Sequence, residues 1–97
     1  MKRDEALRLV YEAIDIVNPQ LPAARRLAKS PDTILVGPAG SLDSLGIINF
    51  VVSLEERVTD AVGAPVQLFD EAALLEENGA FATVDTLSRF LEGLPRA

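Results

Sequence analysis

The stretch from Ser44 to Ala61, SLGIINFVVSLEERVTDA, constrains this chain more than any other. Ile47, Phe50, Val51, Leu54, Val58 and the Ala61/Val62 pair recur at helical spacing and form one apolar stripe. A helix over these residues is roughly 27 Å long at 1.5 Å per residue, and a stripe of that length has to be covered by other helices. The same helix carries a second, offset stripe of Leu45, Ile48 and Val52, with Asn49 beside it and Glu55 and Glu56 at its far end. A surface helix needs only one apolar stripe. Leaving Leu45, Ile48 and Val52 in water forgoes roughly 1.5–3 kcal/mol of burial for each. Either this helix is central and covered on two sides, or its second stripe is a docking face.

The rest of the chain supplies the covering elements. Leu7, Val10, Tyr11, Ile14 and Val17 alternate with Arg8, Glu12 and Asp15, which predicts a first helix over 3–17. Asn18-Pro19 is expected to end it by pushing Asn18 out of the α region. Residues 18–42 form a long connection. Within it, residues 22–29 suggest a short helix, 33–36 an extended segment without a strand partner that lays apolar side chains on the core, and 37–40 a turn cluster. Gly63-Ala64-Pro65 ends the long helix. Asp70 caps a brief helix through Glu77, closed by Asn78-Gly79. Thr83 caps a last helix with Val84, Leu87, Phe90, Leu91 and Leu94 on one face, Phe81 packs onto its first turns, and Pro95 ends it. The expectation is an all-α fold in a single domain over 1–97: a four-helix bundle with a long first loop and a short third helix. The expected core is Leu7, Val10, Ile14, Phe50, Val51, Leu54, Val58, Leu87 and Leu91, with Ser44 exposed.

Composition narrows the chemistry. The chain has no histidine and no cysteine, so it lacks the usual general base, the commonest transition-metal ligand, a thiol nucleophile and any disulfide frame. A Ser-His hydrolase is excluded within this chain. The net charge of −6 argues against nucleic acid. It is unevenly spread, with net +2 over residues 1–30 and net −8 over 31–97. That asymmetry serves solubility or steers basic partners. No apolar run reaches the ~20 residues of a membrane span, and the charged N-terminus lacks a signal-peptide core, so a cytoplasmic protein is expected.

Asp43-Ser44 lies where the chain enters the long helix. Either residue serves as an N-cap, but two in succession are one more than a helix requires. A helix N-terminus also favours a bound or attached phosphate through its dipole and first-turn N–H groups. Gly46, inside that first turn, costs up to ~1 kcal/mol against alanine. It is either tolerated near the helix end or removes a side chain where something approaches Ser44.

These residues resemble the acyl carrier proteins, whose mark is Asp-Ser-Leu or Asp-Ser-Met at the start of the second helix of a four-helix bundle. Here it reads Asp43-Ser44-Leu45, followed by GIINFVVSLEE over 46–56, and the long first loop, short third helix and Thr83-Val84 opening also match, across essentially the whole chain. The resemblance implies a carrier and not an enzyme. Ser44 would bear a covalent 4′-phosphopantetheine arm, added from coenzyme A by a Mg²⁺-dependent phosphopantetheinyl transferase. The arm's thiol would hold an acyl or aminoacyl group as a thioester, and the lack of cysteine leaves no competing thiol. Asp43 would help position the transferase and its metal. Leu45, Ile48 and Val52 would be read by partner enzymes, with Gly46 and Asn49 flanking them, and Glu55 and Glu56 would meet basic patches. The partners implied are an adenylating ligase, a ketosynthase or an acyltransferase, acting on a monomer.

Gly46 and Asn49 stand where many fatty-acid-synthesis carriers have acids, and the first loop is longer than theirs. Gly46 with the amide at Asn49 is more like D-alanyl and stand-alone carriers of specialised pathways. Three rivals are weaker. An unmodified helical adaptor would use the same stripe with Ser44 as a mere cap. An enzyme with Ser44 as nucleophile would need a base such as Lys29, which nothing places nearby. Phosphate binding by residues 37–41 fails because the stretch lacks the Gly-Lys-Ser/Thr ending of a P-loop.

Overall fold

The computed structural model describes residues 1–35, 42, 44–63 and 81–94, without the side chains of Arg25 and Ser44. Its described residues are helical: α1 (Arg3–Val17), short 3₁₀ turns over Asn18–Gln20 and Ala23–Arg25, α2 (Ser44–Val62) and α3 (Val84–Glu92). The expected turn over 37–40, the short helix from Asp70 to Glu77 and the stop at Pro95 lie outside the described residues.

α1 packs against both α2 and α3. Its core face is Ala6, Leu9, Val10, Ala13, Ile14 and Val17, all buried. The expected set was centred too far round the helix. Leu7 and Tyr11 are half-buried at its edge and pack against the core from there. Two alanines take the centre of the face, and alanine carries too little apolar surface to mark a stripe by itself. α1 ends where expected, but for a different reason. Asn18 stays in the α region (φ −53°, ψ −42°), and its N–H still donates to the Ile14 carbonyl. Helical bonding stops one residue later because Pro19 has no N–H to donate.

The first loop is tied down at two places. The Asn18 side chain clamps Leu27, with Nδ2 donating to the Leu27 carbonyl at 3.0 Å and Oδ1 accepting from the Leu27 N–H at 2.8 Å. The clamp holds Leu27 buried. The helix expected over 22–29 is reduced to the turn at Ala23–Arg25. Further on, residues 33–35 do find a partner, contrary to expectation. Ile34 forms an antiparallel bridge with Thr83, the Leu35 N–H donates to the Ala82 carbonyl at 2.9 Å, and the Val84 N–H donates to the Thr33 carbonyl at 3.0 Å. The segment lays Leu35 on the core as expected, while Ile34 is exposed.

α2 buries Phe50, Val51, Leu54, Val58 and Val62, with Ile47 and Ala61 packed beside them, which is the first stripe read from the sequence. Gly63 terminates it in the left-handed region (φ +82°), where its N–H donates to the Thr59 carbonyl at 2.9 Å. α3 opens on a capping box. The Thr86 N–H donates to Thr83 Oγ1 at 3.1 Å, and the Thr83 N–H donates to Thr86 Oγ1 at 3.0 Å. Phe81, Val84, Leu87, Ser88 and Leu91 are buried, and the Ser88 hydroxyl is satisfied by the Val84 carbonyl at 2.8 Å. Phe90 departs from expectation. It lies off the face set by Val84, Leu87 and Leu91, and 43% of it is exposed.

Candidate functional site

The site expected from the sequence is the first half of α2, and its position follows from the helix's geometry. At about 100° per residue, Leu45, Ile48, Val52 and Glu56 fall on one line, nearly opposite the line through Phe50, Leu54 and Val58. The core therefore takes one side of α2 and leaves the other outside. Leu45 is 67%, Ile48 42% and Val52 47% exposed. Of the two arrangements open to a helix with two stripes, α2 is not covered on both sides by the described residues. The line runs about 16 Å along the helix and ends at Glu56, which is exposed, with Glu55 half-buried beside it.

The neighbouring cation leaves that end acidic. Arg57 turns towards α1, where Nε faces Glu12 Oε2 at 3.7 Å and Nη1 donates to the Ser53 carbonyl at 3.3 Å. Its Nε is buried and has no hydrogen-bond partner among the described residues. The ion pair with Glu12 holds the charge on the core side, away from the line that ends at Glu56.

Ser44 is the first residue of α2. Its side chain, and Asp43, lie outside the described residues. Gly46 and Asn49, expected at the margin of the docking face, belong to a different feature. Gly46 is buried and Asn49 half-buried. With Leu45 they form one wall of a cleft of about 190 Å³. The opposite wall comes from the end of α1 and the start of the first loop, through Val17, Leu21 and Pro22, with Gln20 at the rim. Asn49 Nδ2 donates to Gln20 Oε1 across it at 3.2 Å.

The structure thus brings Leu45, Ile48, Val52 and Glu56 together as one exposed line and turns Gly46 and Asn49 towards a cleft. The loop side of that cleft is absent from the sequence reading. Its one signal was Leu21, an apolar residue set between Pro19 and Pro22.

Among the described residues no helix is long and apolar enough to cross a membrane. No family model, curated protein or solved structure matches this chain.

Proposed function

We propose that this chain is an acyl carrier protein of a specialised pathway. In this reading Ser44 bears a 4′-phosphopantetheine arm, and the line Leu45–Ile48–Val52–Glu56 presents the carrier to its partner enzymes. The observation that carries the reading is that line. It begins one residue after Ser44, lies opposite the core, and passes from apolar side chains to an acid. Apolar contact with an acidic end suits weak, fast and exchangeable docking onto apolar surfaces edged with basic residues. Such docking is what a protein passed between several enzymes requires.

The residues present fit the arm on two counts. α2 begins at Ser44, and a helix N-terminus stabilises an attached phosphate through its dipole. The cleft beside it is lined by apolar side chains and neutral amides, as a neutral diamide chain requires. The arm's own chemistry is a terminal thiol that holds an acyl or aminoacyl group as a thioester. The protein's part is to carry, orient and present it, and no residue of the chain performs a chemical step. The partners in this reading are a phosphopantetheinyl transferase, positioned with its metal through Asp43, then an adenylating ligase, a ketosynthase or an acyltransferase. The carrier acts as a cytoplasmic monomer. Gly46 and Asn49, amide or bare where fatty-acid-synthesis carriers have acids, support a dedicated carrier of the D-alanyl or stand-alone kind.

The test is intact mass after incubation with coenzyme A, Mg²⁺ and a broad-specificity phosphopantetheinyl transferase, beside the Ser44→Ala variant. The expected result is a gain of one phosphopantetheinyl group, absent from the variant, with the variant's stability little changed. No gain with two unrelated transferases would sink the carrier reading. The exposed stripe would then favour the second reading, an unmodified adaptor that binds a protein partner through α2.

A further inference from the structure

The cleft between the first turns of α2 and the start of the first loop shares Leu45 with the docking line, but its other lining residues differ, and it asks for a different kind of occupant. We infer that it seats the neutral, amide-bearing middle of the phosphopantetheine arm and leaves the cargo outside. This inference rests on the carrier reading above.

Place is the first support. Leu45 and Gly46, which line the cleft, are the two residues that follow Ser44. A chain anchored on Ser44 is held beside the cleft at high effective concentration, so weak contacts suffice to seat it. Lining chemistry is the second. Among the described residues no charged side chain lines the cleft. Its walls are Val17, Leu21, Pro22 and Leu45, and at Gly46 an occupant meets no side chain. At the rim, the Asn49–Gln20 hydrogen bond uses one donor of Asn49 and the acceptor of Gln20. Asn49 Oδ1 and Gln20 Nε2 are left to accept from and donate to one further amide. A secondary amide offers one N–H and one C=O, the complement of that pair. Between its phosphate and its thiol the arm consists of a geminal dimethyl group, a hydroxyl and two secondary amides. The dimethyl group suits the walls and an amide suits the rim, whereas no cation among the described residues lines the cleft to meet the phosphate.

Size is the third support. The cleft's volume of about 190 Å³ falls below the roughly 300–1,000 Å³ of sites that enclose a whole small molecule. It takes part of the arm and has no room for a long acyl chain as well.

The experiment is NMR on the isotopically labelled chain before and after loading with the unacylated arm, with mass spectrometry on the same samples. The expected result is nuclear Overhauser contacts from the arm's geminal methyls to the Leu21 and Val17 methyls. The Asn49 and Gln20 side-chain amide resonances should shift on loading. Gln20→Ala and Asn49→Ala, read separately, should lose those contacts while the arm is attached with the same mass gain. Complete loading of the wild-type chain with no arm-to-cleft contacts would overturn this inference and leave the carrier reading standing. Contacts that survive in both variants would overturn the role given to the amide rim. Absence of any mass gain on Ser44 would overturn the carrier reading, and this inference with it.

Discussion

At the scale of single residues, α2 makes a contrast that can be measured. Leu54 is fully buried between the helices, while Val52, two positions away, is nearly half exposed. Leu54→Ala removes buried methyls and leaves a cavity, so it should cost about 2–4 kcal/mol on equilibrium unfolding. Val52→Ala should change stability by no more than about 0.5 kcal/mol, as for other surface positions. A loss below about 1 kcal/mol at Leu54 would mean that the helix is turned differently about its axis. Period alone made this contrast legible, because large aliphatic side chains at 3.6-residue spacing fix the angle of a helix. The same signal failed at α1 and at Phe90. In α1, Ala6 and Ala13 hold the centre of the buried face, and small side chains carry little weight in a pattern. In α3, Phe90 is as apolar as any core residue, yet its angle puts it outside. The Asn18 clamp on Leu27 was not legible, because a side chain that satisfies backbone groups nine residues away leaves no periodic trace.

At the scale of elements, the first loop serves α3. A helix leaves its first N–H groups without intrahelical partners. In α3 the Val84 N–H donates to the Thr33 carbonyl at 3.0 Å, the Asp85 N–H to the Pro31 carbonyl at 2.9 Å, and the Thr86 N–H to Thr83 Oγ1 at 3.1 Å. Two of the three acceptors are loop backbone, more than fifty residues away in sequence. The bridge between Ile34 and Thr83 aligns the two segments for this. Thr83→Ala removes the half of the capping box accepted by Thr83 Oγ1, leaves the Thr83 N–H bonded to Thr86 Oγ1, and should cost about 0.5–2 kcal/mol. The Val84 and Asp85 amides should nevertheless remain protected from hydrogen exchange relative to an uncapped helix end, because their acceptors do not depend on Thr83's hydroxyl. If both amides exchange freely in the variant, the loop does not cap α3 independently. The capping threonine was legible, since Thr before an apolar helical run is a local signal. The loop's carbonyls were not, because any residue supplies one. For the same reason 33–35 read as extended without a visible partner: a single backbone bridge asks nothing of side-chain type.

At the scale of the whole molecule, charge links the ends of the chain. The sequence divides into a mildly basic first third and an acidic remainder, and part of that asymmetry is used internally. Arg3, at the start of α1, donates to Asp85 Oδ1 at 2.6 Å and faces Glu92 at 3.8 Å, while Arg89 faces Asp85 Oδ2 at 3.3 Å. Asp85 and Glu92 are therefore engaged on α3, and the acidic end of the α2 line lies elsewhere. The hydrogen bond from Arg3 holds the Asp85 carboxyl below its ordinary range, helped by the charge of Arg89, and the same bond raises Arg3. A carboxylate whose folded pKa is depressed stabilises the fold fully above its unfolded value. That contribution is lost as pH falls through the lowered folded value. The unfolded value is about 3.9 for Asp, so the linkage acts in acid, below about pH 4, and is flat at neutrality. Asp85→Asn should therefore lower stability at pH 7 and unfold with a shallower acid dependence than the wild type, the two curves converging as pH drops. Arg3 and Asp85 are both partly exposed, so the difference should also shrink as salt is raised. Denaturant unfolding of the two proteins between neutrality and acid, at low and high salt, measures both trends. Parallel curves at all pH values would show that the Arg3–Asp85 contact does not link α1 to α3 in solution.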